Sequence, residues 1–149
     1  MKICVAGAAG AFGQKHLDAI RAIDGIEVDS IVGAPGDDLE GLAKERGIGH
    51  WSTELAESLE LGDVEAVILA TPTQIHTTQA IQCLQAGKHV LLDKPFALNT
   101  QAAENIIAAA RQADRTLMRT CRKAGTGFAL PDYRSVLIRQ LRGTGPFRS

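Results

Sequence analysis

The chain is short of cysteine, of long apolar runs and of repeated sequence, and each shortage excludes something. Three cysteines, Cys4, Cys83 and Cys121, are odd in number and far apart. They exclude a disulfide framework and a clustered metal site, and they fit a reducing, cytoplasmic setting. The longest apolar stretch, 64–70, is interrupted by Glu65 and is far too short to cross a bilayer, so no membrane partner is expected. The opening run Ile3-Cys4-Val5-Ala6 is short, with no small-residue cleavage site beyond a hydrophobic stretch, and it reads as a first strand instead of a signal peptide. With 45% hydrophobic and 22% charged residues in 149, what is present is an ordinary globular composition, long enough for one domain with a real core.

Charge is nearly balanced at −1 but unevenly distributed. Residues 1–110 carry 15 acidic against 7 basic side chains, a net of −8, whereas 111–149 carry 2 against 9, a net of +7. A basic end can address nucleic acid or an acidic partner. Here the bases are scattered among Gly and Pro without interleaved aromatics, so nucleic acid is not an expected partner. Neutralisation of one part of the chain by the other is the plainer reading.

Short β-branched runs alternate with helical stretches. Strands are predicted at 3–6, 26–32, 64–70, 90–92 and 116–118, with a short extended piece at 48–51. Helices are predicted at 10–23, from Asp37/Asp38 to Gly47, after a Ser52 or Thr53 cap around Leu55 and Leu59, at 78–86, and at 100–113. Apart from Glu65 the run at 64–70 is continuous and apolar, as a parallel strand covered on both faces should be. Strand and helix in alternation imply right-handed βαβ units, hence an α/β fold with a doubly wound parallel sheet, a Rossmann-type domain over 1–120. Residues 121–149 are read as a divergent basic tail with one candidate helix at 133–141.

Four segments carry candidate chemistry. Gly7-Ala8-Ala9-Gly10-Ala11-Phe12-Gly13 follows the first strand and opens the first helix. Gly7 permits a tight turn, Gly10 admits a pyrophosphate to the backbone N–H groups, and Gly13 lets the helix approach the sheet. The spacing is G-x-x-G-x-x-G, with Ala8 standing where the commoner G-x-G-x-x-G has its first glycine. At the second strand end, Val32-Gly33-Ala34-Pro35-Gly36-Asp37 offers neither an acid for a ribose 2′-hydroxyl nor an arginine for a 2′-phosphate at the end itself. Asp37 or Asp38 could reach the ribose or cap the next helix, so NAD and NADP both stay open. Ala70-Thr71-Pro72-Thr73-Gln74-Ile75-His76 leaves a third strand end, where ligands collect in open parallel sheets; alternatively Thr73 caps the helix and His76 packs in its first turn. Last, Gly87-Lys88-His89-Val90-Leu91-Leu92-Asp93-Lys94-Pro95 puts Lys94 at a strand end, able to place positive charge and a hydrogen bond on a substrate oxygen.

Together these segments resemble the glucose–fructose oxidoreductase/inositol dehydrogenase family (Gfo/Idh/MocA) from residue 1 to about 118. The resemblance implies that NAD or NADP is the cofactor and that Gly7, Gly10 and Gly13 bind its pyrophosphate, with Ala8, Ala11 and Phe12 in the same turn. It implies that Gly33, Ala70, Thr71, Pro72, Thr73, His76 and Asp93 line the cofactor, Asp93 replacing the family's usual Glu. It implies that Lys94 is catalytic, contacting a small-molecule sugar, cyclitol or semialdehyde beside the nicotinamide. Family members continue into a second domain that holds the substrate, but Thr120-Cys121-Arg122-Lys123-Ala124-Gly125 breaks the pattern. Truncation or a frame disruption is the expected cause, which unrelated sequence in every downstream frame would refute. A non-catalytic nucleotide-binding module is the alternative function. A cofactor domain without its second domain is also expected to bury the uncovered face in a homo-oligomer.

Overall fold

A computed structural model describes residues 1–120; the basic tail and its candidate helix at 133–141 lie outside the described residues. Strands β1 (Lys2–Ala6), β2 (Glu27–Val32), β3 (His50–Ser52), β4 (Val64–Leu69), β5 (His89–Leu92) and β6 (Leu117–Arg119) form one sheet in the order β3-β2-β1-β4-β5-β6. Every pairing is parallel. The helices between them are α1 (Ala11–Ile20), α2 (Leu39–Arg46), α3 (Leu55–Glu60), α4 (Thr73–Gln85) and α5 (Thr100–Ala113).

The side-chain period of two in each strand divides the core into two layers. Ile3, Val5, Ala66, Ile68 and Leu91 pack with Leu17, Ile20, Leu39 and Ala43, so α1 and α2 cover one face. Cys4, Val67, Leu69, Val90 and Leu92 pack with Leu59, Leu84 and Ile106, so α3, α4 and α5 cover the other. Both faces of the central strands β1, β4 and β5 are therefore largely dry, and that is why their sequences read as mainly apolar runs. Cys4 and Cys83 are free and buried. Burial pushes the Cys4 thiol up to about 12, against weaker lowering contacts from Ser58 and Ser30, which leaves it an inert core residue.

Strand bounds shift from expectation by one or two residues, the third strand lying at His50–Ser52 instead of 48–51, and three helix ends differ for reasons the structure shows. Helix α1 ends at Ile20, and residues 21–23 continue as tight turns closed by Ala22 N–H on Ala19 O and Ile23 N–H on Ile20 O. Helix α4 begins at Thr73, five residues before the predicted Thr78, because Pro72 stands at its N-cap. A proline loses nothing there, where the backbone N–H has no helical acceptor. Thr73 is thus the first helical residue, and no side chain caps this end. Neither Ser52 nor Thr53 is the N-cap of α3; Glu54 is, and Ser52 Oγ supports it from outside by accepting the Glu54 N–H at 2.8 Å. Among the described residues no helix is long and apolar enough to cross a membrane, and no group of three or more His, Cys, Asp or Glu could hold a metal ion.

Candidate functional site at the strand ends

Backbone hydrogen bonds carry the ladder one step past the strands and line up the candidate residues. Gly7 N–H donates to Val32 O at 2.8 Å, Ala70 N–H to Ala6 O at 2.9 Å, Asp93 N–H to Leu69 O at 2.9 Å and Thr120 N–H to Leu92 O at 2.9 Å. The glycine turn, the start of the 70–76 segment and the Asp93-Lys94 pair therefore leave adjacent strands at one level. They do so beside the β1/β4 boundary, where the strand order reverses and the helices pass to opposite faces. That crevice is where doubly wound sheets bind ligands.

The three glycines do different jobs. Gly7 has φ +78°, and a Cβ on it would lie 2.5 Å from Ala70 O. A Cβ on Gly13, which is buried, would lie 2.1 Å from Gly7 O and 2.7 Å from Ala8 Cα. Both are glycine because backbone from elsewhere occupies the space. Gly10 is exposed with an ordinary φ of −71°, and its Cβ would meet only Gly7 O at 3.3 Å. Its openness is toward the exterior, the side from which a ligand arrives. The N–H groups of Gly7, Ala8 and Gly10 are all used internally, the first two on Val32 O and the third on Gly7 O. Anion donors must then come from the first turn of α1, around Ala11 to Gly13, where helical N–H groups have no intrahelical acceptor. A glycine cradle with open space over Gly10 and a helix N-terminus behind it fits a dinucleotide pyrophosphate. Ala8 itself is fully covered and shapes the turn without facing a ligand. Phe12 is 47% exposed at the rim, with Lys15 Nζ 5.5 Å from its ring centroid.

Three expected contacts change character. His76 is wholly buried. Its Nε2 lies 2.6 Å from Thr71 O and its Nδ1 3.1 Å from Pro95 O. With no free surface it cannot line a cofactor; it ties the segment leaving β4 to the one leaving β5, and any effect on a ligand passes through those backbones. Thr71 Oγ1 likewise turns to Gln79, donating at 2.6 Å. Asp93 faces inward, accepting from Thr120 Oγ1 at 2.7 Å and contacting His16 Nε2 at 3.4 Å. It bridges α1, β5 and the end of β6. Lys94, one residue on, is exposed and precedes a cis Lys94–Pro95 bond. The other lysine of the segment, Lys88, is buried with Nζ on Val64 O at 2.7 Å and Leu61 O at 3.2 Å, and it serves the fold. His16 and Thr120 escaped sequence reasoning as partners of Asp93. His16 lies inside the helix predicted at 10–23 and Thr120 at the predicted end of the domain, and only the tertiary fold brings them together.

Burial alone would raise the Asp93 carboxyl; the hydrogen bonds from His16 and Thr120 outweigh it and hold Asp93 below the usual carboxylate range. A carboxyl depressed on folding contributes stability that is complete above its unfolded value, about pH 4, and is lost as pH falls through the folded one. Asp93→Asn is therefore expected to be less stable than the parent at neutral pH, with the gap closing below about pH 4. Urea unfolding across that range measures it, and a gap independent of pH would reject the assignment.

A profile of the oxidoreductase family with an NAD-binding Rossmann fold (GFO_IDH_MocA) matches residues 1–120. The chain is 43% identical over 118 residues to 4-carboxy-2-hydroxymuconate-6-semialdehyde dehydrogenase of Sphingobium sp. (strain NBRC 103272 / SYK-6), covering 79% of this chain and 37% of that protein. Among solved structures it is similar to KijD10, a 3-ketoreductase from Actinomadura kijaniata in complex with TDP-benzene and NADP, with 29% identity, a TM-score of 0.73, and 80% and 37% of the two chains covered. It is also similar to the WlbA dehydrogenase from Bordetella pertussis in complex with NADH and UDP-GlcNAcA, with 28% identity, a TM-score of 0.73, and 79% and 36% covered. The chain thus spans little more than a third of the length of each. With the family's profile matched from the first strand to the sixth, the chain belongs to the Gfo/Idh/MocA oxidoreductases through an NAD-binding Rossmann fold.

Proposed function

We propose that this chain supplies the cofactor-holding half of a nicotinamide-dependent oxidoreductase acting on a carbinol or carbonyl carbon of a small polar substrate. The observation that carries the reading is the alignment of the glycine turn and Lys94 at one level of neighbouring strands, through the paired ends Ala6↔Leu69 and Leu69↔Leu92. When bound, the dinucleotide supplies the hydride acceptor or donor. The chain's own part is binding and charge. Gly7 and Gly13 hold the turn open, Gly10 admits the pyrophosphate, and the first turn of α1 presents donors to it. Lys94, exposed and two strands from the glycine turn (about 10 Å at ordinary strand spacing), polarises the substrate oxygen and favours the charge that develops on it. Asp93 and His76 keep the Lys94 backbone in place from behind. Relatives named as semialdehyde dehydrogenase and 3-ketoreductase agree with an oxygen-bearing carbon as the reacting centre.

Titrating the 149-residue chain with NADH, followed by nicotinamide fluorescence, tests the first half of the reading. Saturable binding is expected, and its absence for both NADH and NADPH would overturn the proposal. Lys94→Ala tests the second half. Cofactor affinity should change by less than about threefold, while turnover of sugar, cyclitol or semialdehyde substrates falls about 100-fold or more. Unchanged turnover in the variant would remove Lys94 from the chemistry.

A further inference from the structure

NAD and NADP differ at the 2′ position of the adenosine ribose, and the end of β2 is where a doubly wound domain meets that group. In this chain the Val32 carbonyl at that end accepts from both Gly7 and Ala8, so the strand end abuts the glycine turn. Position 33 carries no side chain, and the space one would take is filled by the ends of two others. A Cβ on Gly33 would fall 2.5 Å from Leu39 Cδ2 and 2.7 Å from Asp37 Oδ2. The carboxylate reaches that place through a turn. Pro35 sets the first corner, Gly36 takes the second at φ +99°, and Asp37 N–H closes on Ala34 O at 3.1 Å. Asp37 Oδ2 then accepts the Ala34 N–H at 2.7 Å, a reciprocal pair that pins the side chain over Gly33.

An acid four positions further along thus stands where the side chain of a strand-end acid would begin. Asp37 remains exposed, and an ionised carboxylate with one oxygen on Ala34 has acceptor capacity to spare. Asp38 is differently employed: its Oδ1 accepts the Gly41 N–H at 2.9 Å as the N-cap of α2. From Gly33 to Glu40 the chain carries three carboxylates and no Lys or Arg, and the neighbouring strand end, Ser52-Thr53-Glu54, has no base either. A phosphate monoester carries about −1.5 to −2 at neutral pH. At this corner it would meet the negative charge of Asp37, and neither of the two strand-end segments supplies a base to pair with it.

We infer that Asp37 makes the chain select NAD(H) over NADP(H), its carboxylate accepting a hydrogen bond from the ribose 2′-hydroxyl and repelling a 2′-phosphate. The inference rests on the cofactor reading above and adds the selectivity to it. The test is a pair of fluorescence titrations, NADH and NADPH, on the full chain and on Asp37→Asn. The amide oxygen of Asn can still accept from Ala34, so the turn survives while the charge is lost, and circular dichroism checks that the fold is kept. Wild type should bind NADH at least about tenfold more tightly than NADPH. In the variant that ratio should shrink by about tenfold, through weaker NADH and stronger NADPH binding. NADPH binding as tight as NADH in wild type, or an unchanged ratio in Asp37→Asn, overturns the selectivity while leaving the cofactor site standing. Binding of neither dinucleotide overturns both.

Discussion

Gly13→Ala is expected to destabilise the domain by about 3 kcal/mol or more and to abolish dinucleotide binding, whereas Gly10→Ala should leave stability within about 1 kcal/mol and still lose affinity. At Gly13 the added methyl would sit 2.1 Å from Gly7 O and 2.7 Å from Ala8 Cα. Both are backbone atoms at the end of a buried strand, so no rotamer change relieves the clash; α1 must move off the sheet. Moving α1 separates Leu17 and Ile20 from Ile3 and Val5 in the core layer they share. At Gly10 the same methyl meets Gly7 O at 3.3 Å and otherwise open space, at a φ that alanine adopts freely. What it obstructs is the approach to the first turn of α1, and affinity should fall about tenfold. Urea unfolding and NADH titration of the two variants separate a glycine needed by the fold from one needed by the ligand. Equal losses of stability would show that the division is wrong.

The second large effect is expected from His76→Ala. Removing a wholly buried ring leaves a cavity and strips a partner from Thr71 O and Pro95 O, for a cost of about 3 kcal/mol. The loss should extend beyond stability. The ring is the link between the segment leaving β4 and the one carrying Lys94, so NADH affinity measured at a temperature where the variant remains folded should also fall. His76→Gln, with one reach-matched donor, should recover part of the stability and less of the affinity. A variant with full affinity despite its lost stability would show that the tie serves the core alone.

Much of the architecture was legible because it follows from local physics. Short apolar runs such as Val64–Leu69, broken only by Glu65, read as strands covered on both faces, and α5 (Thr100–Ala113) has the predicted bounds, between an Asn99 cap bonded to Ala102 N–H and a left-handed Asp114. Glycine and proline were less transparent. Pro72 began α4 five residues early, and Gly7, Gly10 and Gly13 read as one motif although two of them answer to backbone crowding and one to open space. Polar side chains at strand ends were the least legible. His76 and Asp93 look like ligands in sequence, but their partners are carbonyls and side chains brought in from 5 to 77 positions away.

By itself, then, the sequence determined the alternation of strands and helices, the doubly wound class and the place of the glycine turn, since these depend on periodicity and on conformational freedom at single residues. Only the tertiary structure decided which strand-end residues face outward. Lys94 does, whereas His76 and Asp93 turn in to join neighbouring strands. It also returned Asp37 to the end of β2 through a Pro-Gly turn, setting a carboxylate where the strand itself ends in glycine. Those outcomes depend on hydrogen bonds between segments distant in the chain, and no local pattern encodes which segments the sheet order will make neighbours.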